Sequence, residues 1–102
     1  MTALELAELL PLMARTTGRP EVTIGLIDGP VANGHPDFER RNIRELRGAN
    51  GGGCALSGSA ACKHGTFVAG ILLAKRGSTA PAICPGCSML VRSIFPETNS
   101  GN

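Results

Sequence analysis

The run Val22-Thr23-Ile24-Gly25-Leu26-Ile27, closed by Asp28, constrains this chain more than any other feature. It is rich in β-branched residues and lacks strict polar alternation, the pattern of a parallel strand covered on both faces. A parallel strand needs a crossover to reach its neighbour. His64-Gly65-Thr66-Phe67-Val68-Ala69-Gly70-Ile71-Leu72 reads as an apolar, glycine-punctuated helix, and Met89 to Phe95 as a second strand. The order strand, loop, helix, strand predicts a right-handed parallel crossover. Asp28 then lies at the downstream end of its strand, where the sites of open α/β sheets collect. A histidine opening the helix completes an arrangement in which a carboxylate can orient an imidazole.

The helix is expected from His64 to Ala74, with Phe67, Val68, Ile71 and Leu72 as its buried face. Gly65, Ala69 and Gly70 are expected to let its backbone pack closely on the sheet. Lys75 and Arg76 complement the dipole at its end, and Gly77 stops it. Upstream, Thr2-Ala3-Leu4-Glu5 reads as a capping box. Leu6, Leu9, Leu10 and Met13 then follow at one-face spacing, predicting an amphipathic helix from about Ala3 to Thr16, kinked near Leu10 by Pro11. Thr17-Gly18-Arg19-Pro20 ends it. Gly29-Pro30 and Asn33-Gly34-His35-Pro36 mark a turn-rich connection. Ala49 to Ala61, with its glycines, serines and two cysteines, reads as a loop. The tail from Pro96 to Asn102 is polar and turn-rich.

Composition excludes several classes of function. At 102 residues with a net charge of +2 and 18% charged residues, the chain lacks a basic surface that would imply nucleic acid. There is no Trp or Tyr and only 3 Phe, too few for an aromatic base-stacking platform. Arg40, Arg41, Arg44 and Arg47 cluster, but Glu39 and Glu45 lie among them, which reads as a solvated, partly paired surface. No run approaches the roughly 18 apolar residues of a membrane span, and the start lacks the positive charge of a secretory signal. A cytoplasmic location is favoured on that ground, although a leader already removed would leave the same start. Cys54 and Cys62 bracket the loop, and Cys84-Pro85-Gly86-Cys87 has C-x-x-C spacing. Structural disulfides, buried thiols and a metal site all remain open, and spacing does not decide the pairing.

Three segments, in order, resemble the subtilisin-like (S8) serine proteases. VTIGLIDGPVANGHPDF is similar to their aspartate region, KHGTFVAGIL to their histidine region, and APAICPGCSMLVRSIF to the strand that follows it. Pro30 after Asp-Gly, Phe67 in the place of a second histidine, and the ICPGC segment resemble the cyanobactin-maturation proteases, which trim ribosomal peptide precursors. The resemblance covers Val22 to Phe95.

It implies an α/β fold, the amino-terminal part of a doubly wound parallel sheet with flanking helices. Residues 1–20 are then an amphipathic helix and linker, and 21–102 a partial peptidase domain lacking the serine region. Asp28 is implied as the orienting acid and His64 as the general base, in the subtilisin order Asp, His, Ser. His35 matches a turn-shaping position, and Asp37 a turn cap. Ser57, Ser59, Ser78, Ser88, Ser93 and Ser100 all lack the family's nucleophile setting. The implied activity is a serine-type endopeptidase on peptide or precursor-peptide substrates. The implied partners are that substrate and, where the serine lies on another polypeptide, a complementary chain carrying it. No cofactor is implied; the resemblance leaves calcium open, and no site for it is identifiable. Two other readings stand beside this one: an inactive truncated remnant acting as a peptide-binding or regulatory module, and a small redox or zinc module built on the cysteines.

Overall fold

The computed structural model describes residues 2–46, 53–56 and 58–98. The elements run α1 (Ala3–Leu6), α2 (Leu10–Met13), β1 (Thr23–Asp28), a 3-10 turn (Arg40–Asn42), β2 (Ile43–Glu45), α3 (Ala60–Leu73) and β3 (Ser88–Ser93). The three strands form one parallel sheet in the order β1-β3-β2. β1 pairs with β3 along its whole length, from Thr23 opposite Ser88 to Asp28 opposite Ser93. The expected α/β sheet with a helical crossover is therefore present. Among the described residues no helix is long and apolar enough to cross a membrane.

The core gathers Leu26, Met89 and Val91 from the sheet, Ala69 and Leu73 from α3, and Val31, Phe38 and Ile43 from the β1–β2 connection and β2. Ile24, Val68 and Leu72 pack against it. This burial of aliphatic surface is the main stabilising term.

Coverage differs from the sequence expectation. β1 alternates between exposed and buried positions, and Ile27 is 69% exposed. Only one face of this strand is covered among the described residues, because α3 lies on that face and nothing caps the other. On α3 the buried residues are Cys62, Gly65, Ala69 and Leu73, while Phe67 is 69% exposed and Ile71 is exposed too. Near the end of β1 the helix presents Gly65, where no side chain would fit, and Leu73 joins the core further along the same face.

The predicted amino-terminal helix is broken into two single turns. The capping box forms as expected: Glu5 N donates to Thr2 Oγ1 at 3.2 Å and Thr2 N to Glu5 Oε1 at 3.4 Å. The chain then leaves helical geometry at Glu8, whose φ is 58°. Pro11 falls in the first turn of α2, where its missing N–H costs nothing. Pro11 thus starts a second helix and does not kink a first. Of the predicted apolar stripe only Met13 is buried, while Leu6 and Leu10 are exposed.

Arg76 ties this segment to the body. Its guanidinium donates to Met13 O (2.6 Å), Thr16 O (2.9 Å), Ala82 O (2.8 Å) and Ile83 O (3.0 Å). It straps two chain segments together and is not in the last turn of α3, contrary to the dipole role expected for it.

β2 was not foreseen, because within Arg40 to Leu46 only Ile43 is a β-branched apolar residue. It pairs with β3 from Ile43 opposite Met89 to Glu45 opposite Val91. Arg40, Arg41 and Arg44 are exposed, and Arg41 Nε lies 3.8 Å from Glu39 Oε1, as suits a solvated surface. Arg47 lies outside the described residues.

Candidate functional site

Asp28 closes β1, where the parallel ladder ends and the chain turns away through Gly29 and Pro30. Its side chain is 12% exposed. One oxygen, Oδ1, accepts from Gly29 N at 2.6 Å and stands 2.8 Å from His64 Nδ1. That separation falls in the range for a direct hydrogen bond and for an acid that orients an imidazole. The His64 side chain is 66% exposed. With Nδ1 held by Asp28, Nε2 is left for a second partner on the solvent side.

Helix α3 brings the imidazole there, and it begins earlier than the glycine-rich sequence suggests. Ser59 is its N-cap, accepting from Cys62 N at 3.1 Å. His64 therefore lies in the second turn and does not open the helix. The start is held from two further sides. Cys54 and Cys62 are joined in a disulfide, which resolves the pairing the sequence left open. The Glu97 carboxylate accepts from Ala55 N (2.8 Å), Leu56 N (2.9 Å) and the Ser59 hydroxyl (3.0 Å). Burial opposes charge on Glu97, but these three donors outweigh it and lower its pKa from 4.5. Cys54, Cys62 and Glu97 are also the one group of three potential metal ligands among the described residues. Both sulfurs are spent on each other, so the group makes no metal site.

Two glycines permit the close approach of α3 to the end of β1. A Cβ at Gly65 would lie 2.4 Å from both Gly29 O and Pro30 O, and one at Gly29 would lie 2.1 Å from Ala61 O. Gly70, expected to serve the same end, has open space around it. Thr66 adds a polar tie, its Oγ1 accepting from Ala32 N at 2.9 Å. The sequence reading gave Thr66 no chemical role; its place directly after His64-Gly65 was the available signal that it could reach the loop following Asp28.

The remaining candidates take structural places. His35 Nδ1 accepts from Asp37 N at 3.0 Å, and its ring meets Phe38 edge-on at 6.2 Å, so it shapes a turn as expected. Ser78, Ser88 and Ser93 donate to backbone carbonyls, and Ser59 is buried under Glu97. Ser57 and Ser100 lie outside the described residues. Among the described serines none is a hydrogen-bond partner of His64. Cys84 and Cys87 are thiols in a turn before β3.

No protein-family model matches the chain, and no curated protein matches it. Solved structures do. A serine-to-alanine variant of the protease domain of PatA is 26% identical with a TM-score of 0.69, over 85% of this chain and 31% of that one. The prenylagaramide maturation protease PagA is 27% identical with a TM-score of 0.69, over 89% and 29%. The patellamide maturation protease PatA is 29% identical with a TM-score of 0.58, over 76% and 26%. The chain thus has the fold of a subtilisin-like, cyanobactin-maturation-type protease domain, and spans less than a third of the length of these domains.

Proposed function

We propose that this chain, having the fold of a subtilisin-like protease domain, is the part of a serine endopeptidase that carries its acid and its base. The observation behind the reading is the 2.8 Å pairing of His64 Nδ1 with Asp28 Oδ1 at the carboxyl end of β1. In this mechanism Asp28 accepts from Nδ1–H and so fixes the tautomer in which Nε2 is basic. A serine hydroxyl, supplied by polypeptide outside these residues, gives its proton to Nε2 as its oxygen attacks the scissile carbonyl. His64 then returns the proton to the leaving amine, and water repeats the cycle on the acyl-enzyme. The Gly29 N–H donated to Asp28 Oδ1 holds the carboxylate in the orientation in which it faces the imidazole. The substrate class is a peptide precursor, since PatA and PagA are maturation proteases by name.

Two experiments test this. In a protein joining these residues to a serine-bearing segment, Asp28→Asn lowers kcat by about 10⁴-fold, and His64→Ala by at least as much. An unchanged rate in either variant refutes the assignment. On the chain alone, a serine-directed fluorophosphonate leaves Ser59, Ser78, Ser88 and Ser93 unlabelled. Labelling at any of them overturns the placement of the nucleophile elsewhere. The exposed Phe67 and Ile71 favour a second reading, a remnant that binds peptide without cutting it. Peptide binding that persists while the joined protein stays inactive selects that reading.

A further inference from the structure

Cys84 and Cys87 take no part in the site, yet the fold builds a specific enclosure for them. Cys87 N donates to Cys84 O at 3.0 Å, closing a tight turn over Pro85 and Gly86. Both side chains crowd the same point beside Gly18, whose added Cβ would touch Cys87 Sγ and Cys84 Cβ together. Cys87 is 3% exposed, whereas Cys84 is half-buried. The amino-terminal segment lies directly on the pair. A Cβ at Gly18 would stand 2.5 Å from Cys87 Sγ and 3.2 Å from Cys84 Cβ, and Gly86 N donates to Thr17 O at 2.6 Å. Gly18 has φ +90°, so glycine is needed there both for its backbone and for the sulfur beneath it.

The surroundings suit a disulfide better than a metal. Among the described residues no third His, Cys, Asp or Glu joins the pair in a ligand set, and the charge acting on Cys84 is the Arg76 cation. Burial and the neighbouring thiol push Cys84 up to about 11, so at neutral pH only a minor fraction is thiolate, which disfavours a standing metal ligand and makes exchange with a disulfide slow without preventing it over a prolonged incubation. The same chain already holds one disulfide, Cys54–Cys62, which belongs to an oxidising setting.

We infer that Cys84 and Cys87 form a second disulfide, and that closing it stiffens the turn on which Thr17 and Gly18 dock. The oxidant is a small disulfide of the glutathione type. The more accessible Cys84 loses its proton and attacks one glutathione sulfur, expelling a glutathione thiolate. Cys87 then loses its proton and attacks Cys84 Sγ, breaking the mixed disulfide and expelling the second thiolate. The two protons go to the two thiolates, so one glutathione disulfide becomes two glutathiones and two cysteines become one cystine.

The test is prolonged incubation of the native chain with oxidised glutathione, followed by alkylation and peptide mapping. The expected product has lost about 2 Da relative to the starting chain, with Cys84 linked to Cys87 and Cys54–Cys62 intact. Both thiols still open to alkylation after unfolding, or a persisting glutathione adduct on Cys84, overturns the inference. Trypsin cleavage after the exposed Arg15 reads the docking. It is expected to be roughly tenfold slower after oxidation than before, and unchanged by the same treatment in the Cys84→Ala/Cys87→Ala variant. Equal cleavage of the wild-type chain before and after oxidation overturns the docking role, whatever the mapping finds.

Discussion

Replacing Gly65 with alanine places a methyl group where the structure has two carbonyl oxygens. The new Cβ would lie 2.4 Å from Gly29 O and Pro30 O and 2.7 Å from Gly29 C, whereas ordinary contact begins at 3.4 Å. All three obstacles are backbone, so no side-chain rotation relieves them, and α3 must retreat from β1 by about 1 Å. Overpacking of this kind costs about 1–3 kcal/mol. Against it stands the gain of about 1 kcal/mol from removing a helix-interior glycine. Retreat also stretches the Ala32 N to Thr66 Oγ1 bond of 2.9 Å and the His64–Asp28 bond of 2.8 Å. Weakening those two bonds adds about 1 kcal/mol of loss, so the sum is a net loss of about 2 kcal/mol. Gly70→Ala is the internal control: it lies in the same helix with nothing within 4 Å. There only the propensity gain remains, about 0.5–1 kcal/mol of stabilisation. Urea unfolding followed by circular dichroism measures both. With a slope of about 1 kcal/mol per molar, the Gly65→Ala midpoint falls by about 2 M while that of Gly70→Ala rises by up to about 1 M. The His64 imidazole NMR signals should move only in the first variant. Shifts of the same sign in both variants would show that α3 does not approach β1 as closely as the structure has it.

Arg76→Leu removes four bonds to carbonyls while keeping much of the stem, and should cost about 2 kcal/mol; loss under 0.5 kcal/mol in urea unfolding would contradict the strap. Glu97 has a folded pKa below its unfolded value near 4.5, so its contribution is present above that pH and is lost as pH falls through the folded pKa. Glu97→Gln should therefore narrow its stability deficit as the buffer is taken from neutral to below pH 4, and a deficit constant across that range would refute the charge-dependent clamp. The exposed apolar side chains Ile27, Phe67, Ile71, Ile94 and Phe95 should drive the chain to self-associate when expressed alone. Sedimentation of Phe67→Ser/Ile71→Ser should show less association, and a strictly monomeric wild-type chain at all concentrations would contradict the expectation.

Local features were legible in the sequence wherever the interaction spans a few residues. The Thr2–Glu5 capping box, β1 and β3 and their parallel pairing, and the turn around His35 follow from spacing and side-chain type within short windows. The pairing of Asp28 with His64 was legible for a different reason. Motif strings on a strand end and on a helix imply their own juxtaposition once the crossover is drawn, although 36 residues separate them.

What the sequence withheld depends on partners distant along the chain. β2 has weak strand character and exists because β3 offers it an edge. The helix could not be traced back to Ala60 through glycine-rich neighbours, because its cap is secured by Glu97, 38 residues downstream of Ser59. Periodicity put Phe67 and Ile71 on the buried face, but the helix buries Cys62, Gly65, Ala69 and Leu73, and its approach to the end of β1 leaves no room for a Cβ at Gly65. The pairing of Cys54 with Cys62, the enclosure of Cys84 and Cys87, and the grip of Arg76 on Met13 and Thr16 likewise follow from the packed backbone. One-dimensional patterns report how a segment would fold against a uniform apolar surface. The actual surface is discrete, so which atoms fit against it is decided only when the segments meet.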